Sequence, residues 1–389
     1  MYYLTTITNV NTLMQTPNID TQAWMNAIYT NQEPVVTAPV HEVPHPHTEN
    51  FCRVRTTTSI EPKANTLSRE AVQQLRRELA LLDANIQQIP ASELTYTTFH
   101  IPKNSGGYRE INAPDEILKQ LQYRLVELLK KFKIPAHDCA YAYVEHRCCK
   151  DALVEHQRNN SKWFLKLDLK HFFNNCTPEF VTAQLQKLNN IAAYPETNRY
   201  LFTCLNRIAY LNNGLPQGTP ISPMLTNLIM IPIDNALAGF FHNRAERNFV
   251  YTRYADDLLI SSKYAFNYSE IITFINKTFE EFNAPFTINN DKTRYGSSAG
   301  SNWNLGLMLN KDNNITLGHK QTQRTRAAIN NFLKDFTTPN RWSIIDTQVL
   351  LGNVSYFKSI NLSYAEFAIK RLEDKYNLKF MDCCKAILN

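Results

Sequence analysis

Hydrophobic and polar positions change their period several times along this chain, and each change marks a different kind of element. Residues 1 to about 66 are rich in Thr, Asn and Pro with little helical periodicity, which predicts an irregular extension partly ordered against the main body. A helical stripe begins after Ser68, a residue suited to an N-cap, with Val72, Leu75, Leu79 and Leu82 on one face. A second helix is expected from about Asp115 to Phe132, with Ile117, Leu118, Leu121, Leu125 and Leu128 inward. The period then drops to two. Trp163, Leu165 and Leu167 alternate with Phe164, Lys166 and Asp168, as in a strand that ends on a carboxylate. Residues 249–262 read as two short apolar strands meeting at Asp256-Asp257. Helical spacing returns at Ile271, Ile272, Ile275, Phe279 and Phe282, and again at 324–336, 344–354 and 364–376. Helices, then mixed strands and helices, then helices give an α+β fold without an internal repeat.

Composition narrows this picture. The chain has 389 residues, 43% of them hydrophobic, enough for two or three packed subdomains. No run approaches the roughly 18 uninterrupted apolar residues of a membrane span. The start, Met1 to Thr6, lacks the basic-then-apolar order of a signal peptide. No membrane partner and a cytoplasmic location are therefore expected. Eight cysteines form no CxxC pair, and Cys148-Cys149 and Cys383-Cys384 are adjacent, which suits neither an ordinary disulfide nor a zinc clamp. Reduced, mostly packed thiols are expected. His41, His45 and His47 lie among prolines and read as incidental loop residues. The net charge is +6, and Arg124, Lys130, Lys131, Lys133, Arg147, Lys150, Arg158, Lys162 and Lys166 crowd between Lys119 and Lys170. Such a stretch either follows a phosphate backbone or is a solvated basic face.

The chemistry lies in the carboxylates. Two adjacent aspartates at a hairpin tip repel each other and favour a cation beside them, although Asp is also common in turns for its own reasons. Asp168 at the end of another expected strand changes the balance, because neighbouring strands would gather three carboxylates at one sheet edge. Hard oxygen ligands suit Mg²⁺. Two such ions about 4 Å apart can promote attack by a hydroxyl and departure of pyrophosphate.

Several segments in order resemble the reverse transcriptase family over roughly residues 95 to 365. FLKLDLKHFF resembles the first catalytic motif, which implies that Asp168 is a metal ligand, with the Leu169 carbonyl completing the shell and Phe173 as an aromatic gate against ribose. GLPQGTPISPMLTNL resembles the second, implying close backbone approach to nucleotide and template at Gly214 and Gly218, with Gln217 near the sugar and base. The segment from Ser222 reads as a helix with Leu225, Leu228 and Ile229 inward, kinked or ended at Pro232. RYADDLLIS resembles the third, implying Asp256 and Asp257 as catalytic metal ligands and Tyr254 near the primer end. NNDKTR implies Lys292 near the triphosphate, and WNLGLML implies a primer-grip hairpin with Leu305-Gly306 at its turn. Lys103 and Arg109 flank Gly106-Gly107 in a fingers hairpin and would reach the triphosphate. LLGNVSYFKSIN resembles a helical thumb.

The resemblance implies a right-hand polymerase fold: an N-terminal extension over 1–66, fingers and palm over 67–320 with an antiparallel sheet, and an α-helical thumb over 321–389. It implies RNA-directed DNA synthesis from dNTPs, with two Mg²⁺ ions, or Mn²⁺ in their place, and an RNA template and DNA product as partners. DALVEH (151–156) and Asn304 to Gly306 depart from the NAxxH and VTG of retron enzymes. Ser222-Pro223 departs from the SQ of diversity-generating enzymes, and no endonuclease, integrase, RNase H or protease segment is visible. Free-standing enzymes of anti-phage defence then fit best, copying a structured non-coding RNA, with retron-type synthesis of RNA-linked DNA as the alternative. The 19 Tyr and the Thr-rich extension leave priming on a protein hydroxyl open. An RNA-making enzyme on the same palm and a non-catalytic RNA-binding scaffold are the rivals.

Overall fold

A computed structural model describes residues 67–103, 106–244, 248–298, 306–310, 312–336, 338 and 341–388. The expected extension over 1–66, its histidines, and Leu305 lie outside these described residues.

The first helix, α1 (Arg69–Gln88), starts where Ser68 accepts a hydrogen bond from the Ala71 N–H, and it buries Leu75, Leu79, Leu82 and Ile86. A hairpin follows. Strands β1 (Tyr96–Pro102) and β2 (Tyr108–Pro114) pair antiparallel with Ile101 opposite Arg109, and their turn carries Gly106 and Gly107 at φ +89° and +75°. Helix α2 (Glu116–Lys130) buries Leu118, Leu125, Leu128 and Leu129. Ile117 is exposed, contrary to expectation, and Gln122 is buried in the stripe instead. Its amide donates to the Ile208 carbonyl at 2.7 Å, and that bond is what makes a buried glutamine tolerable.

The palm is a four-stranded antiparallel sheet in the order β4 (Val250–Tyr254), β5 (Asp257–Ser262), β3 (Trp163–Asp168), β6 (Arg294–Ser297). Its two faces serve different cores. Leu165, Leu167, Leu258 and Ile260 join the main core, while Phe164 and Leu259 join a second one. Helix α3 (Cys149–Arg158) precedes β3, and α4 (Pro178–Leu185), α5 (Asn189–Ala192) and α6 (Pro195–Ile208) follow it. Behind the sheet run α7 (Ser222–His242) and α8 (Tyr268–Glu281). Helix α7 continues through Pro232 to His242 rather than ending there. Proline removes one backbone bond, but burial of Ile229, Met230, Ile233 and Leu237 on both sides of it holds the helix together. By length and composition α7 is apolar enough to cross a membrane; here it is a core helix.

The C-terminal part begins with the hairpin β7 (Leu307–Leu309) and β8 (Ile315–Leu317), which pack in the second core with Phe357, Ile360 and Ala365. Helices α9 (His319–Asp335), α10 (Ile344–Ile360), α11 (Leu362–Tyr376) and α12 (Phe380–Leu388) follow. They share a third core of Ile329, Phe332, Leu333, Leu350, Val354 and Phe380. The sequence reading lacked α12. All seven described cysteines are free, and five are buried, Cys383 and Cys384 among them.

One fully buried ion pair joins α7 to the β4–β5 hairpin. Arg253 on β4 and Asp234 on α7 have no exposed side-chain surface, and their closest N–O distance is 2.7 Å. The Tyr251 hydroxyl donates to Asp234 as well, at 2.9 Å. Asp234→Ala would strand the Arg253 charge in the core, and the expected loss is about 3–5 kcal/mol in urea unfolding. The apolar pair Asp234→Leu with Arg253→Met should recover most of that loss.

Candidate active site

Register puts the carboxylates together. Strands β3 and β5 pair so that Asp168 faces Asp257 directly, and a slip of one residue would send Asp257 to the opposite face. Asp256 sits in the two-residue turn Ala255-Asp256, whose flanking residues Tyr254 and Asp257 pair. Ala255 holds φ +56°, a left-handed conformation that costs a non-glycine residue about 1 kcal/mol. The surroundings enforce it. Arg253 Nη1 donates to the Ala255 carbonyl at 3.4 Å, and the Leu169 N–H donates to the Asp256 carbonyl at 3.1 Å. The Asn289 N–H takes the Asp168 carbonyl at 2.8 Å. Among the described residues no backbone N–H bonds the Leu169 carbonyl.

Like charges directly opposite on a sheet destabilise it, and two lysines answer that repulsion. Lys166 Nζ lies 2.8 Å from Asp257 Oδ2, with only 19% of its side chain exposed. Lys292 Nζ lies 2.9 and 3.1 Å from the two oxygens of Asp168, with 60% of its side chain exposed. Asn289 Nδ2 adds a bond to Asp168 Oδ2 at 3.3 Å. Among the described residues Asp256 has no such partner. Burial pushes it up to about 6, and the neighbouring charges of Asp257 and Asp168 add to the shift. Burial also raises Asp257, against the pull of Lys166. Three crowded carboxylates, two of them already courted by ammonium groups, form a donor set that fits hard divalent cations.

The other expected residues divide. Phe173 is half-buried and packs against the main core, while its neighbour Phe172 takes the fully buried position at 2% exposure. Tyr254 is half-buried opposite Asp257, and burial lifts its hydroxyl to about 12. Gln217 meets the fingers hairpin: its carbonyl accepts from the Asn112 N–H at 2.7 Å. Gly218, at φ +105°, packs so closely that a Cβ would stand 2.7 Å from Ile111 Cγ2, and a Cβ on Gly214 would run into the Asn174 backbone. The close approaches at both glycines in this structure are to this chain's own strands and loops.

Lys103 and Arg109 sit exposed at the β1–β2 fingertip, and neither pairs with the carboxylates. Gly306, at φ +88°, directly precedes β7 and is not in the turn between β7 and β8. The turn falls instead at Asn310 to Asn314, where Asn310 Oδ1 accepts from the N–H groups of Asp312 and Asn314. The basic stretch is not one free face: Arg124 and Lys131 both hold Glu78, Lys130 holds Glu145, and Lys150 donates to the Ser359 carbonyl. Among the described residues His137, Cys139 and Asp234 come close enough to hold a metal, but the Arg253 guanidinium already occupies Asp234 with three bonds.

Residues 101–324 match the family model described as reverse transcriptase (RNA-dependent DNA polymerase). The chain belongs to the reverse transcriptase family. The enzyme is 30% identical over 306 residues to the retron Ec83 reverse transcriptase of Escherichia coli, covering 76% of this chain and 90% of that one. It is 28% identical over 264 residues to the retron Ec73 reverse transcriptase of the same organism, covering 67% and 82%. Among solved structures, apo telomerase from Candida tropicalis aligns over 73% of this chain and 60% of its own, at 13% identity and a TM-score of 0.46.

The Asp256 shift carries a pH signature for the metal-free enzyme. A carboxyl raised in the folded state stabilises the fold below its ordinary value and loses that contribution as pH rises through about 6. In EDTA, wild type should therefore lose about 1–2 kcal/mol relative to Asp256→Asn between pH 4 and pH 7, after allowance for solvent screening. Urea midpoints of the two proteins across that range provide the measurement.

Proposed function

We infer that this reverse transcriptase joins deoxynucleotides by two-metal nucleotidyl transfer at Asp168, Asp256 and Asp257. The observation that carries the reading is the direct pairing of Asp168 with Asp257 beside the Asp256 turn. Two Mg²⁺ ions, or Mn²⁺, would supply activation of the attacking 3′-hydroxyl and neutralisation of the departing pyrophosphate. Asp168, Asp256 and Asp257 would hold them with the Leu169 carbonyl, and Lys166 steadies Asp257. Lys292 is more than half exposed, so it leaves Asp168 at small cost and turns to the triphosphate. Lys103 and Arg109 reach the same triphosphate from the fingers. Phe173 closes the space of a 2′-hydroxyl, Gln217 and Gly218 line the nucleotide, and Tyr254 with the Leu305-Gly306 segment holds the primer end.

For the biological role, the reading is DNA synthesis on a structured non-coding RNA in a bacterial cytoplasm, serving anti-phage defence. One observation favours a second reading, retron-type synthesis of RNA-linked DNA: the relatives described above are retron enzymes. Sequencing the nucleic acid that copurifies with the protein separates them, since a DNA covalently joined to RNA supports only the second. DNA that stays with the denatured polypeptide until protease releases it would instead mark protein priming.

On a poly-rA/oligo-dT substrate the enzyme should extend with dTTP and reject UTP. Asp168→Ala or Asp256→Ala should lower extension by more than about a thousandfold, as removal of core catalytic groups does elsewhere. Preferred use of UTP would favour an RNA-making enzyme, and full biological activity in both alanine variants would favour a scaffold.

A further inference from the structure

Tyr143 stands in a conformation that its burial does not explain. Its φ is +59°, a left-handed backbone that a bulky aromatic residue rarely adopts. The residue is 54% exposed, so the conformation is not the cost of filling the core. The ring meets Phe173 edge to face, with centroids 6.3 Å apart and planes at 74°. Phe172 meets Phe173 in the same manner from the core, at 5.7 Å and 79°. The Phe173 ring is therefore in edge-to-face contact with two aromatic rings, one buried and one at the surface.

The loop that presents Tyr143 is anchored from below. Asn227 on α7 donates from Nδ2 to the Ala142 carbonyl at 2.8 Å, and accepts at Oδ1 from Arg253 Nη1 at 3.2 Å. Arg147 Nη1 donates to the carbonyls of His137, Asp138 and Ala140. The Arg253 N–H donates to the Cys139 carbonyl at 2.7 Å, which anneals the loop to β4. Strained backbone held by this many bonds at the edge of a catalytic site points to a role there.

We propose that Tyr143 is a positioning residue for sugar selection: its edge-to-face ring contact fixes the Phe173 ring in the place where that ring excludes a 2′-hydroxyl. The proposal rests on the gate role given to Phe173 above. Tyr143 itself touches neither sugar nor phosphate in this scheme. Its loss frees the Phe173 ring to tilt away, and a ribonucleotide then fits at smaller cost.

The test is single-nucleotide incorporation on an RNA template with a DNA primer, comparing kcat/KM for a dNTP and the matching rNTP. Tyr143→Phe should keep the wild-type ratio. Tyr143→Ala should lower the ratio by about three- to tenfold, the size of one edge-to-face ring contact, with dNTP turnover largely kept. Phe173→Ala should lower it further, and adding Tyr143→Ala to Phe173→Ala should change nothing more, because the tyrosine acts through that ring. If Phe173→Ala lowers the ratio while Tyr143→Ala does not, the proposal fails and the gate stands. If Phe173→Ala leaves the ratio unchanged, the gate itself fails. Additive losses in the double variant also overturn the proposal, since Tyr143 would then act directly. Should Tyr143→Ala not fold, Tyr143→Leu keeps the bulk, lacks the ring, and is read by the same ratio.

Discussion

The buried pair of Asp234 and Arg253 is the constraint on which the site depends. Taking two charges out of water costs several kcal/mol for each ion, and only complete hydrogen bonding offsets it. Here Asp234 accepts from Tyr251 and from Arg253 Nε and Nη2, while Nη1 serves Asn227 and the Ala255 carbonyl. Those last two bonds reach the chemistry. One supports the left-handed Ala255 and so aims Asp256, and the other runs through Asn227 to Ala142 and the loop bearing Tyr143. A planar guanidinium can make these bonds in several directions at once, which a lysine at 253 could not.

The second constraint is the mutual repulsion of three carboxylates. A sheet register that sets Asp168 against Asp257 is unfavourable unless cations are supplied. The chain supplies two, and their exposures give them different parts. Lys166 is largely buried on the same strand face as Asp168, so moving it would leave a poorly solvated charge. Lys292 reaches in from the surface, and water can replace its bond to Asp168. Asp256, which neither lysine bonds, is raised chiefly by its burial, with the repulsion of Asp257 and Asp168 adding to it. The site is thus shaped around positive charge even before any ion is considered.

Strands and carboxylates were legible in the sequence because they rest on local signals: alternation up to Asp168, and two apolar runs meeting at Asp256-Asp257. Helix α1 was legible down to its Ser68 cap. What could not be read depends on partners far along the chain. Gln122 is buried because of the Ile208 carbonyl, and Ile117 is exposed because none of the described residues covers that side of α2. Pro232 looked like a kink or a stop because its penalty is local, and the burial that carries the helix on to His242 is not. Lys166 passed as one more member of a basic stretch. Arg253 and Asp234 did leave a signal, since each interrupts an apolar run, and two opposite interruptions of that kind suggest one buried pair.

Gly214 and Gly218 show how the second motif acts on the first without any nucleotide between them. The Leu215 N–H donates to the Phe173 carbonyl at 3.0 Å, and Gly214 lies so close to Asn174 that a Cβ would stand 2.7 Å from its carbonyl carbon. A side chain at 214 would push the segment that carries Phe173, which turns a glycine outside the first motif into a determinant of where that ring lies. Gly218 does the same for the fingers, where Ile111 and Asn112 close on it and the Gln217 carbonyl takes the Asn112 N–H. The hairpin is therefore anchored at its base by the second motif, while its tip carries Lys103 and Arg109 into solvent. A fixed base with a charged, exposed tip is the arrangement in which an anionic ligand meets little reorganisation when it draws those cations inward.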